Sequence, residues 1–281
     1  MLKITVENEK GEKLNVTDEA RYKTTFTGFN PVNAVINTTA AGNYDGTTLN
    51  GTRLDNRNIV ITSVIQGNIE ENRLNLYRIF QTKRKVRVYA EGARKVFIDG
   101  VVETFQLDHG ENPQKAQISI LCTKPHLLEV EEREENSLVI KNMFEFPFSI
   151  PQEGIELSIL EAKDVINVQN DGEIETGMIL EFYAEGGKVK NPIVYSAKTH
   201  GAIGFLCEME ENERIRVNTM RGEKSAVRIY EQKEENYFGK LKKPAEWFQL
   251  PPGDNLFTVT AEEGAQHLNV SFRRRVAYQG V

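Results

Sequence analysis

Hydrophobic and polar residues alternate over short distances through most of the chain, in runs too brief for helices. "NIVITSVIQG" (58–67), "KVRVYAEG" (85–92), "KVFIDGVVETFQL" (95–107) and "AQISILC" (116–122) each read as a strand rich in β-branched residues. Asp99-Gly100, inside the third run, is expected to turn a tight hairpin, because both residues tolerate φ > 0. One segment departs from the alternation. "NIEENRLNLYRIFQTK" (68–83) sets Ile69, Leu76, Tyr77 and Phe80 on one face at helical spacing. Glu70 and Glu71 lie near its start, with Lys83 and Arg84 past its end, which predicts an amphipathic helix over 69–82 whose dipole is compensated.

The pattern breaks at "TKPHLLEVEEREENSLV" (123–139), where a proline precedes a mostly acidic run. Strand signals then resume: "NSLVIKNMFEF", "IELSIL", "DVINVQN", "TGMILEFYAEG", "AIGFLCEM", "ERIRVNT", "AVRIYE", "NLFTVTAEEG" and "HLNVSFRR". Short strands at intervals of roughly 8–12 residues predict an antiparallel β-sandwich. The expected division is a first domain over 1–126 and a second over 127–281.

Charge supports that division. Residues 1–126 hold 17 Lys+Arg against 14 Asp+Glu, and residues 127–281 hold 18 against 27, within a net charge of −6. Halves of different sign meet different neighbours, and the overall balance argues against general nucleic-acid binding. No stretch approaches the ~20 apolar residues that span a bilayer, so no membrane partner is expected. The opening "MLKITVENEKGEKL" lacks the apolar core of a secretory leader. Cys122 and Cys207 each sit in an apolar run, as buried thiols made in a reducing cytoplasm would.

Candidate chemistry is sparse. The four histidines have no His-x-x-x-His spacing and the cysteines no Cys-x-x-Cys, so no metal is expected. Nucleophile-elbow and phosphate-loop patterns are absent, and no cofactor or catalytic residue is implied. The acids of "EVEEREE" (129–135) and "EMEENE" (208–213) read as solvated connectors rather than a glycosidase pair. The strongest positive patch is "KRKVRV" (83–88), whose alternation places Lys83, Lys85 and Arg87 on one strand face. It reads as protection of a sheet edge, or as contact with an acidic partner surface.

Three stretches together resemble the siphophage distal tail (Dit) family. The first, residues 21–89, carries Gly28-Phe29, Asp45-Gly46, Arg57 opening a strand with Ile59 and Ile61, and Leu76-Tyr77-Arg78-Ile79-Phe80. The second, residues 165–205, is similar to the Val-x-Asn-x-Gly-Asp/Glu opening of that family's second domain, with Thr176-Gly177 in place of a proline. The third, residues 247–281, resembles a Phe-x-Leu-x-Pro-Gly-x-Asn turn and a terminal strand, its tyrosine displaced to Tyr278. The resemblance implies a mainly β protein: an N-terminal split β-barrel with one α-helix, and a C-terminal galectin-like antiparallel β-sandwich. It implies a structural, non-enzymatic part of the virion, made in the host cytoplasm. Six copies are expected to ring the end of the tail tube. The tube protein would lie above and a tail-associated lysin or fibre below, with receptor-binding proteins or wall polysaccharide at the outer domain. Candidate contacts to another copy or to the tube are Leu76, Tyr77, Phe80, Lys83, Arg84 and Lys85.

Trp247, the only tryptophan, opens "WFQLPPGDNL" (247–256). Pro251 and Pro252 fix two φ angles and Gly253-Asp254 supplies a turn, so Trp247 and Leu250 are expected to lock that turn against the sandwich. A sugar-stacking platform at Trp247, in a carbohydrate-binding protein, is the alternative.

Overall fold

In the first unit the alternation of the sequence becomes the inside and outside of one curled sheet. The computed structural model describes residues 2–40, 42–43, 45–110, 112–142, 158–162 and 165–281. These form two compact units, one of residues 1–130 with 277–281 and one of residues 131–276. The strands of the first are β1 (Lys3–Asn8), β2 (Lys13–Asn15), β3 (Tyr22–Thr27), β4 (Ala34–Ala40), β5 (Thr47–Leu54) and β6 (Arg57–Ile65). After helix α1 (Ile69–Ile79) come β7 (Lys85–Glu91), β8 (Lys95–Asp108), β9 (Lys115–Cys122) and β10 (Leu127–Glu129).

The main sheet runs β2-β1-β7-β8-β9-β6-β3, and every pairing along it is antiparallel. Inward positions are apolar and buried: Ile4 and Val6, Ile59 and Ile61, Val88, Ile98, Ile118 and Ile120. The two outer strands approach where Thr24 Oγ1 donates to the Val16 carbonyl just past β2, with no ladder between them. The sheet is therefore a split barrel. The chain's last strand, β25 (Ala277–Tyr278), returns to this unit and pairs with β10, which in turn pairs with the start of β8.

Two expectations need correction. Asp99-Gly100 makes no turn: β8 runs straight through it, with Arg87 opposite Asp99 and Val86 opposite Gly100. Glycine stands there for space. A Cβ at Gly100 would lie 2.6 Å from Ile120 Cγ2 and 2.8 Å from Cys122 Sγ. The helix also stops at Ile79 rather than 82. Asn68 caps its start by accepting from the Glu71 N–H, and Phe80 closes its end by donating its N–H to the Leu76 carbonyl at 2.8 Å.

The second unit contains β11 (Arg133–Asn136), β12 (Leu138–Asn142), β13 (Ser158–Ala162), β14 (Ile166–Asn167), β15 (Ile179–Ala184), β16 (Val189–Lys190), β17 (Ile193–Ser196) and β18 (Ala202–Gly204). It continues with β19 (Glu208–Met209), β20 (Arg214–Asn218), β21 (Ser225–Tyr230), β22 (Lys233–Asn236), β23 (Leu256–Thr260) and β24 (Leu268–Arg274). A six-stranded sheet β11-β24-β15-β20-β21-β22 and a four-stranded sheet β14-β23-β17-β18 share one apolar cluster. Phe257 of the smaller sheet stands 5.4 Å from Phe272 of the larger and 5.1 Å from Phe248, ring centre to ring centre. Two sheets with a common core make a β-sandwich. The strands expected in "NSLVIKNMFEF" and "IELSIL" are seen as β12 and β13, although residues 143–157 lie outside the described residues.

Candidate assembly surfaces

The residues that define the chain's motifs turn out to be internal fasteners. Arg57 opens β6 and is 1% exposed. Its guanidinium donates to the carbonyls of Gly28 (2.5 Å), Pro125 (2.7 Å), Gln279 (2.7 Å) and Asn30 (2.8 Å). Burial lowers its pKa, and four carbonyl dipoles stand in for a counter-ion. Gly28 fits beside it because φ is +95° and a Cβ would lie 2.2 Å from the Asn58 carbonyl oxygen.

In the second unit the other two motifs meet. The Asn170 N–H donates to the Gly253 carbonyl at 3.0 Å, and the Gly253 N–H donates back to Asn170 at 2.8 Å. The Asn170 side chain donates to the carbonyls of Leu250 (2.7 Å) and Ile174 (2.9 Å). The Asn255 amide reaches those of Pro251 and Gly253, both at 3.0 Å. The plug of this corner is Phe248 with Leu250, both buried. Trp247 itself is half-buried on the flank, 5.4 Å from Phe238 and with Lys224 Nζ 5.5 Å from its ring centre. A covered indole face is a poor stacking platform for a sugar.

The candidate contacts on α1 and after it divide by burial. Leu76 and Phe80 are core residues, 0% and 2% exposed, so an outside partner does not reach them in the folded unit. The helical face they occupy is packed against the barrel. Tyr77 is outside that face, its ring 5.1 Å from Phe105 and its hydroxyl 3.3 Å from His109 Nε2. Leu74, which periodicity did not single out, is the apolar residue the helix exposes most. Lys83 sits at φ +68°, and Lys85 opens β7 pointing outward, as does Arg87 two residues on. Arg84 pairs with Glu9 at 3.6 Å, while Arg87 is held by Asp99 at 2.6 and 2.9 Å. The basic run is thus partly neutralised across the sheet.

A different element is uncovered along almost its whole length. β4 and β5 pair only with each other, as a two-stranded ribbon with a bulge between Asn37 and Thr38. Nearly every side chain on it is exposed, including Ile36 at 60% and Leu49 at 61%. These strands leave little mark on the hydrophobic pattern, since neither has a buried face to impose alternation.

The thiols are not a redox pair. Both are free, and burial pushes Cys122 up to about 12 and raises Cys207 as well. Among the described residues no three His, Cys, Asp or Glu side chains converge on a metal-sized site, and no helix is long and apolar enough to cross a membrane.

A split barrel and a β-sandwich whose distinctive residues fasten backbone to backbone define a mainly β protein of two units. Residues 9–122 match the phage tail protein RIFT-related domain. Among solved structures, the Dit protein (gp 19.1) of phage SPP1 aligns over 97% of this chain and 98% of its own, with a TM-score of 0.67 at 12% identity. That protein is a paradigm of the hub adsorption apparatus in phages infecting Gram-positive hosts. The phage P2 baseplate in its activated conformation with Ca aligns over 98% of both chains, TM-score 0.52 at 12% identity. The same baseplate with Sr gives 0.53 at 11% identity over the same shares. No curated protein sequence matches the chain. The chain thus contains a phage-tail RIFT-related domain over residues 9–122 and shares the fold of these tail structures, the split barrel and β-sandwich that its motifs led us to expect.

Proposed function

We propose that copies of this chain close into a hexameric ring at the distal end of the tail tube. There they join the tube to the tail-associated lysin or fibre and support host attachment. The first unit forms the ring, and the second faces outward, where receptor-binding proteins or the host wall are met. The observation that carries this reading is the ribbon β4–β5. An isolated two-stranded ribbon is marginal in water, and Ile36 and Leu49 lie open to solvent on this one. Such an element calls for cover. A second copy of the chain is the occupant that fits a ring, because a patch that docks on a different patch of an identical neighbour closes into a point group when the rotation allows. Lys83, Arg84, Lys85 and Tyr77 remain exposed enough to contact the tube or the next copy.

Light scattering and negative-stain microscopy of the full-length protein test the reading. Rings are expected, and the double variant Ile36→Glu, Leu49→Glu should give monomers with unchanged melting. A strict monomer at every concentration that also fails to enter tails would overturn the proposal.

A further inference from the structure

We infer that the groove between β17, β18 and residues 242–246, in the second unit, is a saccharide-binding site for neutral or amino-bearing pyranose units. The groove encloses about 510 Å³, within the range of small-ligand sites. Its aromatic wall is Tyr195. The neighbours of Tyr195 on β17, Val194 and Ser196, point into the core, so its ring points out. Its cross-strand partners are the small residues Thr258 and Ala202, which leave the ring 39% exposed. Ala202 and Gly204 keep the floor low.

The opposite wall is tied down by backbone. The Glu246 N–H donates to the Ala202 carbonyl at 2.8 Å and the Lys242 N–H to the Gly204 carbonyl at 2.9 Å. At the end of the groove the Glu246 carboxylate is oriented by Thr199 Oγ1, which donates to Oε2 at 2.8 Å. A carboxylate has about four acceptor positions, so others remain to receive hydroxyl or amino groups. His200 and Lys243 add polar atoms along the lining.

This combination selects among ligand classes. A flat aromatic face beside a fixed acceptor suits a ring with one apolar C–H face and a polar edge. An added peptide strand is excluded, because residues 242–246 already occupy the free edge of β18. The inference is independent of ring assembly, since these residues lie within the second unit.

The test titrates the full-length protein with cello-, malto- and chito-oligosaccharides, read by the fluorescence of Trp247, the residue next to Glu246, and by calorimetry. Saturable binding is expected with at least one series. Tyr195→Ala should weaken it about tenfold or more, the scale of a lost aromatic contact, and Tyr195→Phe should retain it. Gly201→Ala provides a second probe that leaves the ring untouched. Its Cβ would fall 1.4 Å from Glu246 Oε2 and drive the carboxylate from its place, so binding should again be lost. Circular dichroism confirms that each variant folds. Absence of binding at millimolar saccharide overturns the inference. So does binding unchanged in Tyr195→Ala and Gly201→Ala, or a response confined to heparin or a lysine-rich peptide.

Discussion

At the scale of single residues, the structure assigns a mechanical task to side chains that the sequence marked only as motif members. Arg57 gathers carbonyls from two loops and the chain's final segment, so its removal takes the donor from four acceptors at once. Arg57→Met keeps the length of the side chain and loses every donor. It should lower the stability of the first unit by about 3 kcal/mol or more, seen by calorimetry as a drop in one transition with the other unmoved. Asn170 and Asn255 do comparable work in the second unit. None of this could be read from composition, because an arginine that bonds carbonyls has no acidic partner to betray it. The motif positions were legible and their partners were not: Gln279 lies at the other end of the sequence from Arg57. Trp247 packs against the core of the second unit, as expected, but is not its deepest member. Its size drew attention, while Phe248 beside it carries the packing.

At the scale of elements, legibility followed burial. Strands with one buried face, such as β6 and β7, alternate in sequence as they do in space and were found nearly to the residue. β22 was invisible, since its four residues, Lys-Glu-Glu-Asn, are all exposed. The turn before it uses Glu231 and Gln232, both at positive φ, where Asn-Gly would have been the recognisable signal. Asp99-Gly100 presents that kind of signal and makes no turn, because space against Ile120 and Cys122 decided the glycine. The ribbon β4–β5 belongs to the same group as β22. Its amides should exchange with solvent quickly in the free protein, having no buried face to protect them, and slow by an order of magnitude or more on assembly. Hydrogen-exchange mass spectrometry of residues 34–54 in monomer and ring would show this. Equal exchange in both states would remove the ribbon from the interface.

At the scale of the whole molecule, both units bury ionisable groups in their neutral forms. Burial pushes Cys122 and Tyr22 in the first unit, and Tyr237 in the second, up to about 12. In the unfolded chain the thiol loses its proton near 9 and the phenols near 10. Between those values and about 12 the folded state holds more protons than the unfolded one, so stability falls as pH rises through this window and is unaffected by these groups below it. Melting temperatures of both transitions should therefore decline above about pH 9, and the Cys122 thiol should resist alkylation until the first unit unfolds. A flat profile to pH 11 would contradict the burial of all three.

The return of β25 to the first unit also sets an order on synthesis. Residues 131–276 leave the ribosome before Ala277–Tyr278 can pair with β10 and before Gln279 can accept from Arg57. The sandwich is thus made in full while the barrel still waits for its last strand, so the unit that begins first is the one that finishes last. A nascent barrel without that strand leaves β10 and the Arg57 guanidinium each one partner short, which delays its closure until the second unit already exists.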